Sequence, residues 1–409
     1  MSNTRTQWNV PSSAIAKRAH NPIRQIVDKL KLDPQATKTF ISLSVGDPTV
    51  FGNFNIDSSA NDAIIRQLHS FKHNGYGPAH GTADARQAVA DMVTLPEAPV
   101  TANDVVLANG CSGALDICVN VLGNPGQNIL LPRPGFSLYG SLAAIRSLES
   151  RYYNLLPESN WEADLAHMES LIDDQTCAIL VNNPSNPCGS VYSREHLQAI
   201  LALAAKHHVP IIADEIYCDL VFKGNTFYPM ASLTSEVPIL SVGGLAKKWL
   251  VPGWRVGWIV VYDQNNVFEQ IREGLLNLSQ VILGPNSIVQ AALPDILHRT
   301  PDQFYQDTIT QLEENTQLSM DAVSKIPGLK PVQPQGAMYM MVGIDVSSFE
   351  GIKDDVEFSQ KLLAEESVLC LPGECFNYPN FIRIVITPTK DRLEEAYQRM
   401  AEFCSRHHK

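Results

Sequence analysis

The chain has 409 residues, long enough for two sizeable cores, and its 44% hydrophobic and 18% charged content belongs to a packed globular protein, not a disordered one. A formal net charge of -12 argues against nucleic acid or an anionic membrane as the main partner and leaves room only for a small local basic site. No apolar run is long enough to span a bilayer, the opening MSNTRTQWNVPSS lacks the apolar stretch of a secretory signal, and the eight cysteines form no C-x-x-C pair; the expectation is a cytoplasmic protein with reduced thiols and no metal.

In chain order, residues 1–20 are rich in Ser, Asn and Thr and read as an N-terminal arm. Short apolar runs at 105–107, 129–131, 178–181, 210–213, 239–242 and 258–261 read as buried parallel strands. Between them lie helix-period segments such as SREHLQAILALAAKHH (193–208), with Leu197, Ile200, Leu201 and Ala204 on one face and Ser193 placed to cap the start. This alternation predicts an α/β fold with a mostly parallel central sheet covered by helices. From about residue 312 a long helix is followed by strands in GAMYMMVGID and NFIRIVIT and a helix over 391–404, which reads as a smaller α+β domain. The expected division is an arm (1–20), a small domain (21–60 plus 312–409) and a large domain (61–311).

Open parallel sheets bind ligands beyond the carboxyl ends of their strands, so unusual polar residues there carry the most information. After 105–107 comes ANGCSGALD, a small-residue turn opening a helix, suited to a phosphate but equally an ordinary Asn-Gly turn. After 129–131, PRPGFSLY sets Phe136 at the same edge, as a stacking face or as core. After 178–181, NNPSNPCG holds two Asn-Pro steps that impose a rigid loop presenting amides. After 210–213 stands Asp214, with Tyr217 three residues on; a helix cap, a salt bridge or a partner for a protonated ring nitrogen accounts for that carboxylate equally well. After 239–242, GGLAKKW delivers Lys247, and Arg255 follows eight positions later. Each feature alone is ordinary. Jointly, a phosphate turn, an aromatic, an amide, a carboxylate and a lysine are what pyridoxal 5'-phosphate requires.

The stretch GGLAKKWLVPGWRVGW (243–258) resembles the cofactor-lysine motif of class I aminotransferases of the aspartate aminotransferase fold. SLSVGDPTVFGN, NGYGPAHGTADAR, NNPSNPCGSV, ADEIY, PQGAMYMM and NFIRIVIT occur in the order of that family, and the resemblance runs from residue 8 to the C-terminus. NPIR (21–24), GDPTVFGN, PGQNILLPRPGFSLY and YNLLPESNWEADL resemble its tyrosine branch. The resemblance implies a homodimeric pyridoxal-phosphate enzyme of fold type I. Its implied reaction passes the amino group of tyrosine, and of phenylalanine, to 2-oxoglutarate, giving 4-hydroxyphenylpyruvate and glutamate.

It further implies that Lys247 bonds the cofactor aldehyde and shuttles the proton, and that Asp214 pairs with the ring nitrogen. Asn186 and Tyr217 would hydrogen-bond the ring oxygen, and Phe136 would stack on the ring. Cys111, Ser112 and Arg255 would hold the phosphate, and Tyr76 would reach the phosphate of the second subunit. Arg383 would bind the substrate α-carboxylate, with Asn186 and the backbone of Gly46. One departure is Gly244, where many relatives carry a serine. A broad alanine- or kynurenine-type aminotransferase, or a lyase on the same fold, needs the same lysine, aspartate and arginine and stays open. No Lys or Arg lies between positions 275 and 298, where relatives specialised for dicarboxylates carry an arginine, so the side-chain pocket reads as apolar. Lys17 and Arg18 are candidate partners for the second carboxylate of 2-oxoglutarate, set against a plain reading as solvated surface charges.

Overall fold

The computed structural model describes residue 8, residues 10–30 and residues 38–409. The described strands are β1 (Ile41–Ser42), β2 (Val105–Ala108), β3 (Asn128–Arg133), β4 (Glu149–Leu156), β5 (Glu162–Ala163), β6 (Thr176–Asn182) and β7 (Ile211–Asp214). They continue with β8 (Ile239–Gly244), β9 (Gly257–Tyr262), β10 (Leu329–Pro331), β11 (Tyr339–Ile344), β12 (Val368–Leu369), β13 (Leu371–Pro372) and β14 (Phe381–Val385).

An eight-stranded sheet runs β2-β9-β8-β7-β6-β3-β4-β5. Its middle strands β8, β7, β6, β3 and β4 are parallel, as the alternation of strands and helices required. Both faces are covered. Ile212, Leu240, Val242 and Ile259 belong to one apolar cluster, while Ile211, Ala213, Ile239 and Val260 belong to the other. Strands buried on both sides read as continuous apolar runs, which is why they were visible in the sequence. The helix Arg194–His207 buries Leu197, Ile200, Leu201 and Ala204, and its Ser193 cap accepts from the His196 N–H at 3.2 Å.

The expectation of a parallel strand at 258–261 is corrected. β9 runs antiparallel to both neighbours, with Ile259 opposite Val242 on one side and Val106 on the other. A parallel return needs a crossover, usually a helix. The link from β8 to β9 holds only the short turn Pro252–Trp254. β4 was not foreseen, since its first half, Glu-Ser-Arg-Tyr, is polar and mostly part-exposed. The long helix expected from about 312 begins at Asp302 and ends at Val323, and the last helix spans Lys390–His407.

A second, antiparallel sheet has the order β10-β11-β14-β13. β1 pairs in parallel with β12, Ile41 opposite Val368, and the Val385 N–H donates to the Leu43 carbonyl at 2.9 Å. The stretch that leaves β1 is thereby pinned against β14. Among the described residues no helix is long and apolar enough to cross a membrane.

Glu215 follows the last residue of β7 and faces a cavity of about 240 Å³ that Lys248 and Trp249 also line. Its carboxylate accepts from the Ser241 hydroxyl at 2.6 Å and the Met230 N–H at 3.0 Å. Burial pushes its pKa up to about 7, against those two hydrogen bonds and with help from the neighbouring Asp214 charge. Between the ordinary carboxylate range and about 7 the folded state therefore holds a proton that the unfolded chain has lost, so this group's stabilisation is lost as pH rises through that window. Glu215→Gln keeps an acceptor for Met230 and a partner for Ser241 but cannot ionise. Thermal unfolding from pH 5 to 8 should show the variant gaining on the wild type as pH rises; a constant difference would contradict this assignment.

Candidate active site

The carboxyl ends of the parallel strands converge with the segment after β1, with β11 and with β14 around a cavity of about 390 Å³. Gly46, Cys111, Ser112, Phe136, Asn186, Asp214, Tyr217, Lys247, Arg255 and Arg383 all line it. Tyr76 does not. It follows the helix Ser58–Ser70 and is 93% exposed on the single chain.

Asp214 closes β7 and is 3% exposed. Its carboxylate accepts from the Tyr139 hydroxyl at 2.7 Å, the Ile216 N–H at 3.3 Å and the Cys111 thiol at 3.7 Å. No Lys or Arg forms a salt bridge with it among the described residues. Burial pushes its pKa up, while Tyr139, Ile216, Cys111 and the Lys247 charge pull the other way. A carboxylate in this position invites a cationic group into the cavity.

At the end of β8, Gly243 and Gly244 lead into the turn that carries Lys247, whose Nζ donates to the Gly46 carbonyl at 2.6 Å. Its neighbour Lys248 is committed elsewhere. It pairs with Asp219 at 3.0 Å and sits over the rings of Trp249 and Tyr305 at 5.0 and 4.6 Å. Only Lys247 of the two lines the central cavity.

The helix Gly110–Leu122 opens without a side-chain cap, so its first N–H groups lack the usual partner. Arg255, itself at φ 55°, lies across that opening and donates to the carbonyls of Pro252 at 2.9 Å and Asn109 at 3.2 Å. Gly110 has φ +74° and any Cβ there would meet the Arg255 guanidinium; a Cβ on Gly257 would stand 2.5 Å from the Cys111 nitrogen. Glycine is what lets the arginine and the helix opening close together. An uncapped helix start beside a guanidinium is an anion site.

Arg383, on β14, is 3% exposed. It donates to Asn186 Oδ1 at 2.9 Å and the Ser44 carbonyl at 2.5 Å, with its guanidinium 4.5 Å from the Tyr339 ring centre. Its Nε is buried without a partner, and burial works against its charge. Both facts favour a carboxylate arriving at this residue. Asn186 is held at both ends, its N–H donating to Asn182 Oδ1 at 2.8 Å, which leaves its side-chain amide nitrogen to donate elsewhere.

Several lining residues escaped the sequence reading. Tyr139 stands three positions after Phe136, its N–H donating to the Phe136 carbonyl at 3.1 Å across the turn that opens the helix Leu138–Ile145, and their rings meet edge-on at 5.7 Å. Tyr339 looks like core inside PQGAMYMM. Ile23, Arg24 and Val27 line the cavity from the helix Pro22–Val27. Lys17 and Arg18 lie on the preceding helix Ala14–Arg18 and do not line the cavity, whereas Arg24, on the helix Pro22–Val27, does. At six residues, that helix is too short to give a periodic signal.

A family model described as aminotransferase class I and II matches residues 38–400. The chain belongs to that family. This aminotransferase is 55% identical over 405 residues to the tyrosine aminotransferase of Mus musculus, covering 99% of this chain and 89% of the mouse protein. It is 52% identical over 408 residues to the tyrosine aminotransferase of Dictyostelium discoideum, covering 98% of each. The crystal structure of tyrosine aminotransferase from Leishmania infantum matches its fold with a TM-score of 0.95 at 35% identity, over 99% of this chain and 100% of that one. The aminotransferase has fold type I and depends on pyridoxal 5'-phosphate. The cavity suits that group: an uncapped helix start and Arg255 for a phosphate, a buried carboxylate without a cation for a protonated ring nitrogen, and an amine for an aldehyde.

Borohydride reduction of the loaded enzyme followed by peptide mapping should place the cofactor on Lys247, and Lys247→Ala should bind it reversibly and lose transamination. Label on Lys248 would overturn the assignment.

Proposed function

We propose that this aminotransferase transfers the amino group of tyrosine, and of phenylalanine, to 2-oxoglutarate, giving 4-hydroxyphenylpyruvate and glutamate. The observation that carries the reading is the wall supplied by the helix Pro22–Val27. Ile23 and Val27, one turn apart, line the cavity beside Leu371, and Arg24 is the cation among them. The names of the mouse and Dictyostelium relatives support the same donor. An apolar wall favours an aromatic side chain. Arg24 has its side chain 73% exposed, with Asp28 at 3.5 Å its one charged partner among the described residues, and can turn toward the second carboxylate of the acceptor.

In this reading the cofactor, when bound, supplies the aldehyde that receives the amino group and a ring that draws electrons from the α-carbon. Arg383, already oriented by Asn186 and Ser44, presents its fork to the α-carboxylate, with the Gly46 backbone alongside. Lys247 Nζ, once free, would be placed to take the proton from the substrate α-carbon and hand it on as general acid. Asp214 would keep a proton on the ring nitrogen by its charge. Asn186 and Tyr217 would donate to the ring oxygen, and Phe136 would pack against the ring. Cys111, Ser112 and Arg255 would hold the phosphate.

Tyr76 is assigned to the phosphate of a second subunit, and the enzyme to a homodimer. The support is an exposed apolar patch: Leu68, Phe71 and Tyr76 on one segment, Val281, Ile282 and Leu283 on another. The two segments meet where the Ser287 hydroxyl donates to the His73 carbonyl at 2.5 Å. A division into an arm (1–20), a small domain (21–60 with 312–409) and a large domain (61–311) belongs to the same reading, supported by the pairing of β1 with β12. So does a cytoplasmic location, supported by eight free cysteines.

Steady-state kinetics with tyrosine, phenylalanine, alanine and aspartate at fixed 2-oxoglutarate test the donor. Tyrosine and phenylalanine should exceed aspartate in kcat/KM by about 10²-fold, since aromatic burial is favourable and an unpaired carboxylate in the same place is costly. A preference for alanine or aspartate would overturn the reading. Arg24→Gln should lower kcat/KM for 2-oxoglutarate by about tenfold while leaving the tyrosine half-reaction close to wild type. An equal loss in both half-reactions would remove Arg24 from the acceptor site.

A further inference from the structure

Tyr217 and Tyr339 bring their hydroxyls together at 2.7 Å inside the cavity, with rings 5.7 Å apart and nearly perpendicular. Both side chains are buried, at 3% and 2% exposure. Tyr217 comes from the loop beyond β7 and Tyr339 from the start of β11, so this contact joins the two sheets across the site. Tyr339 touches two further parts of the same machinery. The Arg383 guanidinium lies on its ring, and Gly46 packs on its hydroxyl so closely that a Cβ at Gly46 would collide with that oxygen. Lys247 Nζ is 5.7 Å from the Tyr217 ring centre and bonds the Gly46 carbonyl.

Each phenol carries one proton, so one hydroxyl of the pair donates and the other accepts. If Tyr217 donates to Tyr339, it has nothing left to offer the cofactor. If Tyr339 donates, the Tyr217 proton is free to point into the cavity. The flanking charges decide. The Arg383 cation stands 4.5 Å from the Tyr339 ring centre, nearer than Lys247 stands to the Tyr217 ring at 5.7 Å, and makes Tyr339 the better donor, while the buried Asp214 charge near Tyr217 makes that phenol the better acceptor. The structure gives the Tyr339 hydroxyl no hydrogen-bond partner other than Tyr217 among the described residues. The charged and titratable groups around the pair are Asp214 from β7, Tyr139 beside it, Lys247, and Arg383 with its neighbour Cys375.

We infer that Tyr339 is a positioning residue: it donates to Tyr217, commits the Tyr217 proton to the cofactor's ring oxygen, and ties that commitment to the arginine that receives the substrate carboxylate. This rests on the assignment of Tyr217 as the donor to that oxygen. Donors in series polarise one another, so the ring oxygen meets a stronger donor than Tyr217 alone would be. A stronger donor leaves less charge on that oxygen to hold the proton it shares with the Lys247 nitrogen. Removing the Tyr339 hydroxyl should therefore make that proton harder to lose.

The test is a spectrophotometric pH titration of the loaded enzyme without substrate, following the visible absorbance of the lysine-bound cofactor. Tyr217→Phe, Tyr339→Phe and the double variant are compared with wild type. Tyr339→Phe should raise the apparent pKa by about half a unit, Tyr217→Phe by more, and the double variant should match Tyr217→Phe alone, because Tyr339 acts only through Tyr217. Tyr339→Phe keeps the ring under Arg383, so KM for tyrosine should stay near wild type, whereas Tyr339→Leu should raise it. A shift in Tyr217→Phe with none in Tyr339→Phe would refute the relay and leave Tyr217 as donor. No shift in either variant would refute both assignments. Additive shifts would show Tyr339 acting on the cofactor independently and would also overturn the relay.

Discussion

The buried carboxylate of Asp214 is the constraint on which the rest of the site depends. It stands at the end of a central strand, 3% exposed, with a phenol, a backbone N–H and a thiol around it and, among the described residues, no cation in a salt bridge. An ionised carboxylate in such a place is costly unless positive charge arrives. The Tyr139 hydroxyl at 2.7 Å and the Lys247 charge reduce that cost without removing it. In the proposed reading, this carboxylate would meet the protonated ring nitrogen of the cofactor. Parallel β7 makes this possible, because its carboxyl edge opens into the cavity while Ile211, Ile212 and Ala213 hold the strand between two cores.

Around that charge, the bonds that matter cross from one part of the chain to another. Lys247 reaches the Gly46 carbonyl, Arg383 reaches Asn186 and the Ser44 carbonyl, and Tyr217 reaches Tyr339. All but one of these join the eight-stranded sheet, or a loop at its edge, to the segment after β1 or to the smaller sheet; the Arg383–Ser44 bond joins the smaller sheet to the segment after β1. In the proposed reading, a substrate carboxylate at Arg383 would meet a side chain held beside the residues that orient the lysine and the phenol. Contacts already in place would lower the entropy lost on reaching a reactive geometry.

The strand-end residues were legible because two physical rules overlap there. Strands buried on both faces show as apolar runs, and a polar residue just past such a run is conspicuous. Asp214 and Lys247 stand out for that reason, and the uncapped turn at Gly110 follows the same logic. Tyr139 and Tyr339 were not legible, since a tyrosine amid apolar residues looks like core until the partner of its hydroxyl is known. Arg24 was missed because the six-residue helix that carries it has no period to read. The direction of β9 was misjudged for a different reason: burial pattern reports that a strand is covered, not which way it runs. Only the short, helix-free link from β8 carried that information.

The central claim is that Asp214 acts through its charge and not as a structural cap. Asp214→Asn keeps the shape, and an amide oxygen can still accept from Tyr139. Stopped-flow measurement of the tyrosine half-reaction on the cofactor-loaded variant tests the claim most directly. The rate should fall by at least about 10²-fold, as for other removed electrostatic stabilisers, while the far-UV circular dichroism and thermal midpoint of the apoenzyme stay near wild type or above it. A variant that runs the half-reaction at near wild-type rate would contradict the account.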